Sequence, residues 1–203
     1  MKEAKKNPEE KIKKKEIRED NLLPFGGLSK DVLVASPLFA ALVSLIYLIN
    51  LLQDTLSRHF ILMFVFSFFV VLIALLVKKI AAIPIVLFAV SLATIKIGVF
   101  NFKGTVLVYT FLIMGIGAVL LFYLFDFLLS WKNASMIAGM TSMFSLMPLI
   151  ESLLISPTLT KVFMYEIINI LLMNLFISFL GSLIAVIVWH RARITKVILR
   201  LGY

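Results

Sequence analysis

The chain has 203 residues, 62% of them hydrophobic, a mean hydropathy of +1.07 and a formal net charge of +9 at pH 7. Soluble domains carry about 45–50% apolar residues, so this surplus excludes a soluble globular fold. No cysteine is present, which removes disulfides, thiolate metal sites and cysteine nucleophiles. The basic residues stand beside apolar stretches, where they meet lipid headgroups rather than nucleic acid.

Residues 1–30 read as a charged cytoplasmic tail. Asn7 is placed to cap a helix, Pro8 suits its first position, and Glu9 and Glu10 fall in its first turn. Glu9 with Lys13 and Glu10 with Lys14 are four apart in the order that favours surface pairing. The spacing predicts a short charged helix ending near Asp20, then a loop over 24–27 before the membrane. Lys13, Lys14 and Lys15 offer a contact for anionic lipid or a partner, or serve as a solvated tail that sets topology. The tail lacks the apolar core of a cleavable signal, so the first span is expected to direct insertion.

A bilayer core of about 30 Å needs about 20 apolar residues in a helix. Six stretches qualify: 32–52, 60–77, 80–100, 105–130, 134–156 and 162–189. The fifth is interrupted by Thr141, Ser142, Ser145, Pro148 and Glu151, a pattern that also suits a re-entrant segment. With six crossings, the N-terminal tail, Lys78, Lys79, Lys132, Arg191, Arg193, Lys196 and Arg200 share one side. Arg58, Lys103 and Lys161 take the other. Because cytoplasmic loops carry the Lys/Arg excess, both termini are expected in the cytoplasm. The predicted fold is thus an all-α, polytopic helical membrane protein with six transmembrane helices over 31–189, a single membrane domain.

Residues 190–203 form a cytoplasmic tail in which Ile194, Val197, Ile198 and Leu201 repeat at helical spacing, with Arg193, Lys196 and Arg200 on other faces. That pattern predicts an amphipathic helix lying in the interface.

Ionisable residues within spans are expensive and mark candidate sites. Lys96, Glu151 and Glu166 fall at matching depth in spans three, five and six, about 6–8 Å below the outer boundary at 1.5 Å per residue. Asn169 is one turn beyond Glu166 on nearly the same face, while Asn174 lies deeper and is rotated away. Lys96, Glu151, Glu166 and Asn169 form the candidate polar cluster, either a substrate or ion site or a structural ion pair. Asp126, six residues before Lys132, is a candidate at the inner interface.

Met136, Met140, Met143 and Met147 form a stripe that suits flexible apolar packing better than cuprous ion, since no histidine or cysteine accompanies it. Small residues at four-residue spacing predict close helix contact at Ser36, Ala40 and Ser44, at Ala134, Ala138 and Ser142, and at Ser178 and Ser182 with Gly181 and Ala185. Pro37 is expected in the first turn of span one, and Pro84 and Pro148 as kinks. His59 is placed in an outer hinge and His190 at the inner boundary. No metalloprotease, nucleophile-elbow or phosphate-loop motif occurs, so neither an enzyme nor a cofactor is expected.

Two stretches resemble the Yip-domain family of small multi-span proteins of membrane trafficking. Ser36, Pro37, Leu38 and Phe39 are similar to that family's Gly-Pro opening of its first span. Residues 115–154 are similar to its span, polar hinge and Gly-Tyr-x-x-x-Pro stretch, with Phe144 and Ser145 where glycine and tyrosine stand and Pro148 closing the motif. The resemblance implies a non-enzymatic role in membrane organisation.

The sequence therefore points to a plasma-membrane scaffold or accessory subunit whose partners are the bilayer, anionic lipid headgroups and a membrane or cytoplasmic protein. The alternative is a small transporter, or the substrate-binding subunit of one, with an outward-facing pocket on spans three, five and six.

Overall fold

Two of the long helices have ends set by a capping side chain or by left-handed backbone. Asp54 opens the most hydrophobic of the long helices: its carboxylate accepts the Leu56 N–H at 3.3 Å and the Ser57 N–H at 3.0 Å, giving partners to two donors that a helix start leaves open. That run ends at Lys78, and a second ends at Ser130, both with left-handed backbone at φ 54° and 52°.

The computed structural model describes residues 26–100, 102–147, 149–150 and 161–193. They form an all-α arrangement of six helices: α1 Gly26–Ile49, α2 Thr55–Val77, α3 Ala82–Ala93, α4 Gly104–Leu129, α5 Lys132–Ser145 and α6 Lys161–Arg193. The charged N-terminal helix and the amphipathic repeat from 194 onward lie outside the described residues.

Among the described residues, three helices are long and apolar enough to cross a membrane: Leu56–Val77 in α2, Gly104–Leu129 in α4 and Ile168–Ala192 in α6. Their outer faces carry large apolar side chains in the open, with Phe127 84% and Leu120 65% exposed. A water-facing surface of that kind would drive association. Such faces are compatible with a lipid surrounding.

α2 takes the centre, touching α1, α3, α5 and α6, while α4 packs on α3 and α5. Phe66 of α2 anchors the core, with ring centroids 5.3 Å from Phe111, 6.2 Å from Phe144 and 5.6 Å from Phe100. The four methionines of the α5 stripe are all buried against it, as apolar packing requires.

α2 and α6 run parallel. His59 near the start of α2 meets Asn174, Phe64 faces Gly181, and Leu75 shares a cleft with Trp189. A Cβ at Gly181 would sit 2.7 Å from the Phe64 carbonyl oxygen and 3.1 Å from Ser67 Cβ. Only a glycine lets the two backbones come this close. Ser178, Ser182 and Ala185 are buried on the same face, so the small-residue pattern of this helix does mark a contact.

Three expectations need correction. The stretch 80–100 is not one helix: α3 has 12 residues, about 18 Å at 1.5 Å per residue. The rest of the passage turns over 94–100, with Val99 and Phe102 exchanging backbone hydrogen bonds at 3.1 Å and Gly98 at φ 78°. Buried non-helical backbone needs its polar groups paired within the protein. Here the Gly98 N–H bonds to Thr94, the Gly104 N–H to Ile95, and the Asn50 amide donates to the Gly98 carbonyl.

Secondly, Pro37 lies inside α1 rather than in its first turn, and Pro84 lies within the first turn of α3, where its missing N–H removes no bond. Thirdly, Ser36, Ala40 and Ser44 are exposed. α1 instead packs through Leu42, Ile46 and Ile49, because larger apolar side chains offer more contact to α2. Pro148 lies outside the described residues.

Candidate functional site

Polar groups gather at the two ends of the helix bundle. Between them stands the packed α2–α6 seam.

One end holds a cleft of about 480 Å³. Lys78 and Lys79, just past the end of α2, contribute to it from one side, and Lys132, the first residue of α5, from another. Asp126, half-buried near the end of α4, is its carboxylate. The wall behind these charges is apolar and aromatic, made by Leu75, Phe122, Met136 and Trp189, with Trp189 only 6% exposed. Asn133 joins α5 to α6 at the rim through a 3.3 Å contact with His190 Nε2.

Local sequence explains this placement. The left-handed turn at Lys78 reverses the chain directly after α2, and the one at Ser130 does the same after α4, so Lys78, Lys79 and Lys132 are brought to the same level as Asp126. The chemistry is that of a basic rim over an oily wall.

The opposite end holds a cleft of about 580 Å³. It is lined by Tyr47 and Asn50 at the end of α1, Arg58 in the first turn of α2, and Gly98, Phe100 and Lys103 of the turn that follows α3. Tyr47 donates to the Ala93 carbonyl at 3.2 Å, and Asn50 donates to Ile46 at 3.0 Å. Tyr47 thereby ties α1 to the end of α3, and Asn50, which also donates to the Gly98 carbonyl at 3.4 Å, ties it to the segment that follows. Asp54 caps α2 one turn before Arg58, and its carboxyl is held below the usual 3.8, chiefly by the Ser57 hydroxyl and then by the Ser57 and Leu56 backbone N–H groups.

Inside the bundle one polar pair stands out. The amide Nδ2 of Asn174, fully buried on α6, is 3.1 Å from His59 Nε2. When the amide donates, Nε2 must be bare and the ring proton must sit on Nδ1. Phe60 and Phe100 press edge-on against the imidazole at centroid distances of 5.9 and 5.2 Å. His59 is thus part of a helix and has an interhelical partner, whereas the sequence placed it in a hinge.

Of the candidate cluster, Lys96 is exposed beside the turn after α3, and Asn169 is exposed on α6. Glu166 falls on the second turn of α6 with its side chain outside what is described, and Glu151 lies outside the described residues. α6 packs on α2 and α5; it is Asn174, not Asn169, whose amide reaches across to another helix. The signal for that pair was present as a lone histidine at the head of an apolar run, but its partner is 115 residues away. Among the described residues no group of three or more His, Cys, Asp or Glu side chains could hold a metal ion.

Comparison with protein-family models, with curated proteins and with solved structures finds no match for this chain. The class of protein rests on its own geometry: an all-α chain with three helices able to span a membrane.

Proposed function

We propose that this chain is a multi-pass membrane protein with six crossings and both termini in the cytoplasm, acting as a non-enzymatic scaffold or accessory subunit at the plasma membrane. One observation carries the reading. α6 rests on the α2 backbone at Gly181, and the Phe66, Phe111 and Phe144 rings fill the adjoining space, so the two end clefts are divided by packed protein. Ser67 and Ser178 lie in that seam at 0% exposure. Among the described residues, a packed α2–α6 seam between two polar ends suits a protein that meets partners at the membrane surfaces.

The crossings are supported by the parallel course of α2 and α6 and by the return of the chain from Lys79 in one cleft to Lys103 in the other. Orientation follows from charge: Lys78, Lys79, Lys132 and Arg191 gather at one end, and a Lys/Arg excess marks the cytoplasmic side. The similarity of Ser36 to Phe39, and of the stretch closing at Pro148, to the Yip-domain family accords with a role in membrane organisation. Anionic headgroups and a membrane or cytoplasmic protein are the proposed partners.

The test uses the cysteine-free background. Ser67→Cys and Ser178→Cys are reconstituted singly and treated with a membrane-impermeant thiol reagent from both sides, with Lys79→Cys and Lys103→Cys as accessible controls. Protection at 67 and 178 is expected. Labelling there would overturn the scaffold reading in favour of a small transporter or its substrate-binding subunit. That second reading is favoured by the 580 Å³ cleft beside the broken helical passage, since interrupted helices are where transporters bind solute. Loss of a specific solute response in both Glu151→Gln and Glu166→Gln would also support it.

A further inference from the structure

The cleft at the Lys78 end has a shape of charge that the scaffold reading does not use. Its lining carries three lysines and one aspartate, a net of +2, drawn from the ends of three different helices. Directly behind this rim are Leu75, Phe122, Met136 and Trp189, which are buried or nearly so. Free phosphate would satisfy the rim and leave the apolar wall empty. A zwitterionic lipid would fill the wall but bring a choline or amine toward the lysines. An anionic diacyl phospholipid matches both, with its headgroup phosphate among the lysines and its upper acyl chain against the wall.

Backbone conformation adds an independent point. Lys78 sits at φ 54°, where glycine is easiest and a side chain is strained. That turn ends α2 and fixes Lys78 at the cleft. Tyr123 and Trp189 line the same cleft, and Trp131 is exposed beside it, side chains that favour the headgroup level. The volume of about 480 Å³ lies within the range of about 300–1,000 Å³ usual for ligand sites.

The geometry points to a binding site for an anionic phospholipid in the cleft formed by Lys78, Lys79, Lys132 and the apolar wall ending at Trp189. This inference rests on the membrane reading above and is independent of whether the protein is a scaffold or a transporter.

Trp189 supplies its own reporter, because the chain has two tryptophans and Trp131→Phe leaves only the one in the cleft. The full chain carrying that change is placed in phosphatidylcholine nanodiscs containing equal fractions of brominated phosphatidylglycerol or brominated phosphatidylcholine, and Trp189 emission is read. Stronger quenching by the anionic lipid is expected, and Lys79→Gln or Lys132→Gln should each cut that preference about fivefold. Arg58→Gln and Lys103→Gln remove equal charge at the other end and should leave it unchanged. Inorganic phosphate added to lipid without bromine should not alter the emission.

Equal quenching by the two lipids overturns the site, as does a preference that survives loss of both Lys79 and Lys132 or falls equally with Lys103→Gln. A response to phosphate without lipid preference also overturns it. Absence of quenching by either lipid is a different result: it would show that the chain is not embedded, and the membrane reading itself would fall.

Discussion

Asn174 and His59 are the one side-chain pair that hydrogen-bonds across the α2–α6 seam at the Arg58 end among the described residues, at 3.1 Å from amide nitrogen to Nε2. The pair orients α6 on the central helix at a level where both neighbours are otherwise apolar. Interhelical hydrogen bonds of this type contribute about 0.6 kcal/mol on average and up to about 1.7 in membranes. The coupling between Asn174 and His59 in detergent is therefore expected in that range. A double-mutant cycle of Asn174→Leu with His59→Phe checks it: additive losses would mean that the contact carries no coupling.

Gly181 makes a sharper demand. Alanine there would place its Cβ 2.7 Å from the Phe64 carbonyl oxygen, and backbone cannot step aside as a flexible side chain would. Gly181→Ala is expected to cost about 1–3 kcal/mol, the range for overpacking. Ala40→Leu, on the exposed face of α1, should stay within about 0.5 kcal/mol of the parent protein. Thermal denaturation of both variants in one detergent separates a packed seam from a lipid-facing stripe.

Lys78 predicts a gain rather than a loss. A left-handed position costs a non-glycine residue about 1–2 kcal/mol, and glycine's extra freedom in the unfolded chain returns about 0.5–1 of this. Lys78→Gly should thus raise stability by about 0.5–1 kcal/mol, while Lys78→Ala should bring no such gain. If both variants behave alike in a denaturation series, charge rather than backbone strain governs this turn.

Asp54 sets a pH dependence at the other end of α2. Its folded pKa is depressed below 3.8 by the bonds it accepts from Ser57 and Leu56. A depressed carboxyl contributes stability that is fully present above the unfolded value and is lost as pH falls through the folded one. Asp54→Asn keeps a capping side chain but cannot titrate. Comparing acid titrations of stability, the parent should lose more than the variant below about pH 4; identical curves would show that the cap does not bear on acid sensitivity.

Much of the fold was legible because lipid demands a simple code. Three of the apolar runs became long helices, α2, α4 and α6, where the sequence put them, whereas the run 80–100 did not stay one helix. Gly181 with its flanking serines likewise announced close packing, since small side chains in a membrane helix have few other uses. The stripe Ser36, Ala40 and Ser44 carried the same local signal and turned out exposed, because which face of a helix is covered depends on neighbours rather than on spacing. The break after α3 was hidden for a related reason: residues 94–103 are apolar enough to pass for helix, and only the backbone bonds between Val99 and Phe102 and the Asn50 amide make another course affordable.

Sequence by itself determined that this is an all-α chain built for an apolar surrounding, with its basic residues between and beyond the apolar runs, since helix length and charge placement are local properties. Tertiary structure alone decided which polar groups meet. His59 found Asn174 rather than solvent, and Lys78, Lys79, Lys132 and Asp126 came together at one cleft, because residues far apart in the chain become neighbours only through the packing of one helix against another.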